Sequence, residues 1–297
     1  MAISKRKKIL FFVSEDWYFL SHRLKIAIFL LKKGYNVHLC CKDTGLVADI
    51  LKYGIKWHNI ELERKSLSLT QFFNESIIFY KLVKKLNPNI IQLISMRPIV
   101  VGIFSLMFLK KRNTFLTFTG LGFLFTEKTF KSNFLRILIS YFLLIAFRIL
   151  SLKAIVQNKD DKIFITKKLC LRKKQIIVIK GSGIDLKHFI FRPEPVNKKI
   201  TIVYAGRILK DKGIKQLIDS FKLAKKEFNN LSLVLAGPLD KNNPSAISEK
   251  ELNTFLRIKD IHYLGNVKDT KMVWKKSNIA ILLSKREGLP LSLMEAA

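Results

Sequence analysis

Near the end of this chain two carboxylates stand eight positions apart, in the run Glu287-Gly288-Leu289-Pro290-Leu291-Ser292-Leu293-Met294-Glu295-Ala296-Ala297. Pro is favoured at the first position of a helix, where its missing N–H costs nothing. The spacing therefore predicts Glu287 in a loop and Glu295 one to two turns into the helix that follows. The unpaired N–H groups at that helix start, near Leu291 and Ser292, then face the same side, and a helix start is a ready site for phosphate. Carboxylates accept hydrogen bonds from sugar hydroxyls such as those of a ribose. One short stretch can thus hold a diphosphate, a ribose and a sugar. About eighty residues upstream, Arg207 and Lys212 occur in Gly206-Arg207-Ile208-Leu209-Lys210-Asp211-Lys212-Gly213. Arg offers a planar donor fork and Lys a point charge, and both suit phosphate. Two cations there would stabilise the charge that develops on a leaving diphosphate.

Those residues need elements to position them, and the chain supplies an alternation. Strand-like runs fall at 9–13, 36–41, 56–60, 90–94, 114–119 and 154–157, with helical stretches at 20–33, 46–53, 69–86, 99–110 and 132–151. Alternation of this kind means parallel sheet covered on both faces. A Pro-bearing link at 191–198 separates a second alternation, beginning with the strand run 200–205 and the helical stretch 212–227. In such sheets ligands lie at the carboxyl ends of strands. Ser14, Glu15, Asp16, Arg97, Thr119, Gly120, Gly122, Arg207 and Glu287 all fall just after strand runs.

The chain has 297 residues, enough for two domains, and 49% hydrophobic content for two cores. Cys40, Cys41 and Cys170 show neither ligand spacing nor a disulfide framework, so a reducing cytoplasm is the default. Adjacent Cys40 and Cys41 read as core and surface neighbours. His38, His58, His188 and His262 have no ligand spacing and read as structural or surface residues. The net charge of +32 comes from 54 basic and 22 acidic residues. It implies an anionic partner, or compositional drift toward lysine. Nucleic acid is the least favoured partner, because no helix-turn-helix, zinc or RNA-binding signature is present. An anionic membrane surface fits better. The run at 134–152 approaches the ~20 apolar residues of a span, but Arg136 and Arg148 interrupt it. It reads as a helix packed on the sheet with one face toward a lipid interface, and with the run at 100–112 it would form a docking face.

Glu-x7-Glu after a strand, with Gly-Arg-x4-Lys upstream, resembles the retaining GT-B glycosyltransferases of family 4. The front half narrows the match. Ile9-Leu10-Phe11-Phe12-Val13 leads into Ser14-Glu15-Asp16-Trp17-Tyr18-Phe19-Leu20-Ser21-His22-Arg23-Leu24, and Phe118-Thr119-Gly120-Leu121-Gly122-Phe123 comes later. These resemble bacterial surface-polysaccharide transferases that add a sugar to a polyprenyl-diphosphate-linked acceptor. The resemblance implies two Rossmann-like, doubly wound parallel-sheet domains facing a cleft. They would be an acceptor-binding domain at 1–190 and a partial nucleotide-sugar-binding domain at 199–297, joined by 191–198. It implies that Arg207 and Lys212 hold the donor diphosphate, Glu295 the ribose, and Glu287 the sugar or leaving group. The donor is a nucleotide-sugar, UDP-linked by expectation, with no cofactor and no metal. The sugar would be of hexosyl or N-acetylhexosaminyl type. Glu15, Asp16, His22, Arg97, Thr119, Gly120 and Gly122 would face the acceptor. The place of work would be the cytoplasmic, inner face of the cell membrane. Several alternatives stay open. Glu15 and Asp16 also suit a helix start, His22 a packed position, and Gly120 and Gly122 plain turns. The chain departs from the family by lacking a glycine turn after its first strand and a histidine near Ser95-Met96-Arg97-Pro98. The resemblance also implies further chain after Ala297. Three other readings are a nucleotide-sugar epimerase, an impaired membrane-binding remnant and a nucleic-acid binder.

Overall fold

The computed structural model describes residues 6–63, 68–109, 113–119, 130–169, 171–196, 198–240, 243, 245–284 and 287–297. The chain divides into two units, Met1–Ser182 and Gly183–Ala297. The first contains strands β1 (Lys8–Glu15), β2 (Asn36–Lys42), β3 (Lys56–Asn59), β4 (Ile90–Ile94), β5 (Asn113–Phe118), β6 (Leu152–Val156) and β7 (Ile176–Val178). They form a parallel sheet in the order β3-β2-β1-β4-β5-β6-β7. Its helices are α1 (Asp16–His22), α2 (Leu24–Lys32), α3 (Val47–Leu51), α4 (Leu69–Leu86), α5 (Met96–Leu106), α6 (Phe130–Ile149) and α7 (Lys159–Leu169).

Successive side chains of a strand point to opposite faces, and β1 shows both faces covered. Leu10 and Phe12 join the core beneath α4, α5, α6 and α7, where Phe12 stacks on Phe79 with ring centroids 4.1 Å apart. Ile9, Phe11 and Val13 join the core beneath α1, α2 and α3. A strand buried on both sides reads as a continuous apolar run, which is why residues 9–13 carry no alternation. The same rule corrects the reading of the cysteines: Cys40 and Cys41 are both fully buried, one in each core, because this sheet has no surface face here. Burial pushes the Cys41 thiol up to about 12, so it is inert at neutral pH. Cys170 lies outside the described residues.

Two further differences have local causes. The expected single helix at 20–33 is two helices with a break at Arg23 (φ −128°, ψ −18°). Just before the break the Ser21 hydroxyl donates to the carbonyls of Trp17 and Tyr18, competing with regular helix bonding. The helix α7 and strand β7, absent from the sequence reading, complete the sheet edge.

The second unit carries β8 (Ile200–Ala205), β9 (Leu231–Ala236), β10 (Ile261–Tyr263) and β11 (Ile279–Ala280), parallel in the order β10-β9-β8-β11. Its helices are α8 (Ile214–Glu227), α9 (Glu249–Leu256), α10 (Lys271–Trp274) and α11 (Leu291–Ala296). Ile214, Leu217, Ile218 and Phe221 of α8 form one buried stripe against Leu233 and Leu235. Ser248 and Glu251 close a reciprocal capping box on α9. The segment 191–198 lies within this unit, where Asn278 Nδ2 donates to Glu194 Oε1 and to the Pro195 carbonyl, each at 2.9 Å.

Candidate active site

At the carboxyl end of β8 the chain turns through Gly206 and Arg207, and backbone bonds hold that turn on both sides. Gly206 N donates to the Ala236 carbonyl at 2.8 Å and Ile208 N to the Pro238 carbonyl at 3.1 Å. Below it, fully buried Tyr204 donates its hydroxyl to the Arg207 carbonyl at 2.7 Å. Arg207 Nη1 donates to Asp240 Oδ2 at 2.8 Å, from the segment that follows β9. A 3₁₀ turn, Lys210–Lys212, then leads through Gly213 (φ 75°) into α8. A Cβ on Gly213 would lie 2.3 Å from the Leu283 carbonyl oxygen, so glycine lets the Lys212 turn sit close to the segment that precedes Glu287. The Lys212 ammonium is paired with the Glu287 carboxylate, both partly buried.

Burial pushes the Tyr204 phenol pKa well up, the nearby Glu287 charge pushes the same way, and Arg207 opposes it. Arg207 and Glu287 thus both act on one phenol, and with Lys212 they make a compact charged group at the carboxyl end of the sheet. Glu295 lies apart from that pairing: its Oε2 accepts from Thr270 Oγ1 at 2.8 Å and from Trp274 Nε1 at 3.2 Å. Helix α11 begins at Leu291 with Pro290 as its extended N-cap, one position later than the proline preference suggested. The sequence reading missed Tyr204 and Asp240. An acid four residues past the end of β9, just beyond Gly237, was the available signal for Asp240.

In the first unit Glu15 and Asp16 sit at the carboxyl end of β1, His22 at the end of α1, Arg97 just after β4 and Thr119 just after β5, with partners of their own. Asp16 is fully buried and takes hydrogen bonds from Trp17 N (2.7 Å), Thr44 N (2.8 Å), Leu46 N (2.9 Å) and the Thr44 hydroxyl. Burial pushes its carboxyl up, but the bonds from Thr44, Leu46 and Trp17 outweigh that and hold it below the usual range. This carboxylate ties the loop after β2 to the start of α1. Glu15 accepts from Trp17 Nε1 at 2.6 Å. The His22 ring stacks on Tyr18, centroids 4.4 Å apart, and its Nδ1 meets Ser21 Oγ at 2.6 Å. Arg97 Nε donates to nearly buried Glu75 at 2.8 Å. Thr119 Oγ1 is 3.4 Å from Ser95 Oγ, and Ser95 itself has φ 73°. A non-glycine residue in that region is strained, and such strain concentrates at functional positions. Gly120 and Gly122 lie outside the described residues. Among the described residues no group of three or more His, Cys, Asp or Glu is placed to hold a metal ion.

Residues 187–297 match the family described as Glycosyl transferases group 1, and residues 8–153 the one described as Glycosyl transferase 4-like. The chain is 29% identical over 255 residues to the N,N'-diacetylbacillosaminyl-diphospho-undecaprenol alpha-1,3-N-acetylgalactosaminyltransferase of Campylobacter jejuni. That match covers 82% of this chain and 65% of the relative, so the chain spans less than two thirds of that protein. It is 24% identical over 278 residues to the capsular polysaccharide biosynthesis glycosyltransferase CapM of Staphylococcus aureus, covering 90% of this chain and 70% of CapM. In fold it resembles Anabaena HepE in complex with UDP and glucose, with a TM-score of 0.70 at 13% identity, over 98% of this chain and 78% of that one.

Proposed function

We propose that this chain, which matches the Glycosyl transferase 4-like family over residues 8–153 and the Glycosyl transferases group 1 family over residues 187–297, is a GT-B glycosyltransferase that moves a sugar from a nucleotide-sugar to a polyprenyl-diphosphate-linked glycan in building a bacterial surface polysaccharide. The observation that carries this reading is the charged group around Tyr204, where Arg207 and Lys212 meet carboxylates at the carboxyl end of a parallel sheet. A nucleotide diphosphate replaces Asp240 and Glu287 as the counter-charge of those cations. Arg207 and Lys212 then stabilise the negative charge that grows on the leaving diphosphate, and the backbone N–H groups of Leu291 and Ser292 add donors. Glu287, released from Lys212, orients the sugar or the leaving group. Glu295 Oε2 accepts from Thr270 and Trp274, which fixes the carboxylate, and its other oxygen, Oε1, accepts from a ribose hydroxyl of the donor.

The finer assignments follow the family resemblance. The donor is UDP-linked and of hexosyl or N-acetylhexosaminyl type, transfer retains anomeric configuration, and no metal takes part. The acceptor side is built from Glu15, His22, Arg97 and Thr119 with Gly120 and Gly122, while Asp16 holds the loops that carry them. The enzyme works peripherally at the inner face of the cell membrane. The Campylobacter relative, named for an undecaprenol-linked acceptor, supports the acceptor class.

The test is nucleotide binding by thermal shift and calorimetry, with UDP and then GDP, in wild type and in Arg207→Ala/Lys212→Ala. Hydrogen bonds to charged groups contribute about 1.5–3 kcal/mol each, so the double variant loses at least about a hundredfold in affinity. Product analysis with a UDP-sugar and a polyprenyl-diphosphate-linked glycan then reads transfer and anomeric configuration. An altered nucleotide-sugar released without acceptor would instead mean epimerisation. A wild type that binds no nucleotide diphosphate, or a double variant that binds as well as wild type, overturns the reading.

A further inference from the structure

Helix α6 (Phe130–Ile149) is amphipathic with a second apolar face. Leu143, Ala146 and Phe147 are buried against the sheet. On its outer side Phe134, Ile137, Leu138, Tyr141, Ile145 and Ile149 are between 48% and 63% exposed. At 3.6 residues per turn these six fall in a stripe about 120° wide and about 22 Å long. Half-buried Arg136 lies toward the inner side, and exposed Arg148 ends the stripe. Other parts of the same helical layer repeat the pattern. Helix α4 exposes Leu69, Phe73 and Ile77 in its first half and Lys81, Lys84 and Lys85 in its second, and Phe108 is exposed beyond α5. Phe104 joins Phe73 and Phe108 through edge-to-face contacts at 5.6 and 5.4 Å. Exposed apolar surface on this scale marks an interaction site.

Charge says what covers it. Residues 76–159 contain thirteen Lys and Arg and a single acid, Glu127. An apolar stripe within such a segment matches the layered chemistry of an anionic bilayer surface, where acyl chains take apolar side chains and headgroups take cations. Among the described residues no helix is long and apolar enough to cross a membrane. We propose that the outer stripe of α6 is the membrane-docking face of this protein: it lies in the plane of an anionic leaflet, its six apolar side chains at the acyl boundary and Arg148 reaching back to the headgroups. The assignment draws its purpose from the lipid-linked acceptor, but its chemistry is independent of sugar transfer.

The experiment is flotation of the whole chain with vesicles of phosphatidylcholine, with and without phosphatidylglycerol, at low and high salt. Wild type binds the anionic vesicles. Ile137→Glu/Tyr141→Glu reduces partitioning about tenfold or more, while the control Leu223→Glu/Phe228→Glu, at exposed apolar positions of the second unit, leaves it unchanged. Circular dichroism and melting confirm that both double variants stay folded, and Tyr141→Ser serves as a milder variant with a smaller loss. Nucleotide binding is the same in all of them, so failure of docking and failure of the donor site are read separately. The proposal is overturned if wild type does not bind anionic vesicles, or if the α6 variants bind as wild type does. It is equally overturned if those variants dissolve a dimer of wild type while vesicle binding persists, since the stripe would then cover a second copy.

Discussion

Replacing Gly237 with alanine tests how the candidate site is built, because that glycine holds two of its segments together. Gly237 directly follows β9 with φ 143°, a conformation that L side chains rarely adopt. A Cβ there would lie 1.9 Å from the Gly206 carbonyl oxygen and 2.6 Å from its carbon, both backbone atoms that no rotamer change can move. The neighbouring bonds leave little room: Gly237 N donates to the Gly265 carbonyl at 2.7 Å, and Tyr263 donates its hydroxyl to the Gly237 carbonyl at 3.0 Å. The strained backbone costs about 1–3 kcal/mol and the overpacking about 1–3 kcal/mol. Gly237→Ala is therefore expected to lose about 2–6 kcal/mol. In a unit of this size each kcal/mol lowers the melting temperature by about 4–8 °C, so the second unit should melt at least about 8 °C earlier. The methyl group also pushes apart Gly206, next to Arg207, and the segment that carries Asp240, so UDP affinity should fall with stability. Scanning calorimetry gives the first quantity and titration calorimetry the second. A variant that melts within about 2 °C of wild type and binds UDP equally well would refute this account of the turn.

Glu75→Ala should cost about 1.5–3 kcal/mol in urea unfolding of the first unit, because it removes the charged hydrogen bond that Arg97 Nε donates at 2.8 Å; a loss under 1 kcal/mol would show the pair to be dispensable. Asp16→Asn should cost about 1.5–3 kcal/mol near neutral pH, since an amide replaces an acceptor surrounded by donors. The Asp16 carboxyl lies below its ordinary value in the fold, so its contribution is complete above the unfolded pKa near 3.8 and disappears as pH falls through the folded value. The wild-type advantage over Asp16→Asn should accordingly shrink in unfolding curves taken toward pH 2.5. His38 is pushed down to about 4, by burial first and then by His58, Lys56 and Lys8. Its unfolded form binds the proton more tightly, so stability falls as pH drops from about 6.5 to about 4, by up to about 3 kcal/mol. His38→Phe should flatten that slope, and an unchanged slope would place the titration elsewhere.

The sequence by itself determined the alternation, the class of chemistry and most element positions. A strand buried on both faces must be a continuous apolar run, and a helix against a sheet must repeat its apolar residues at 3.6. Residues 9–13, 69–86, 90–94 and 200–205 obey these rules so strictly that their elements could be read directly. Helix α7 escaped because Lys159–Leu169 has little amphipathic contrast, and its only local signals were Asp160 and Asp161 at its start and Lys167 and Lys168 at its end. Strand β7, with three residues, is too short for periodicity to register. Gly-Arg-x4-Lys and Glu-x7-Glu were legible because each lies within a few residues of a strand or helix end. Only the tertiary structure decided who pairs with whom. Lys212 meets Glu287 across 75 residues and Arg207 meets Asp240 across 33, while the apolar half of Lys-rich α4 and the outer stripe of α6 were left uncovered. Such pairings are set by the order of strands in a sheet and by which helix face the layer buries. Those are long-range choices, and local spacing along a chain carries no record of them.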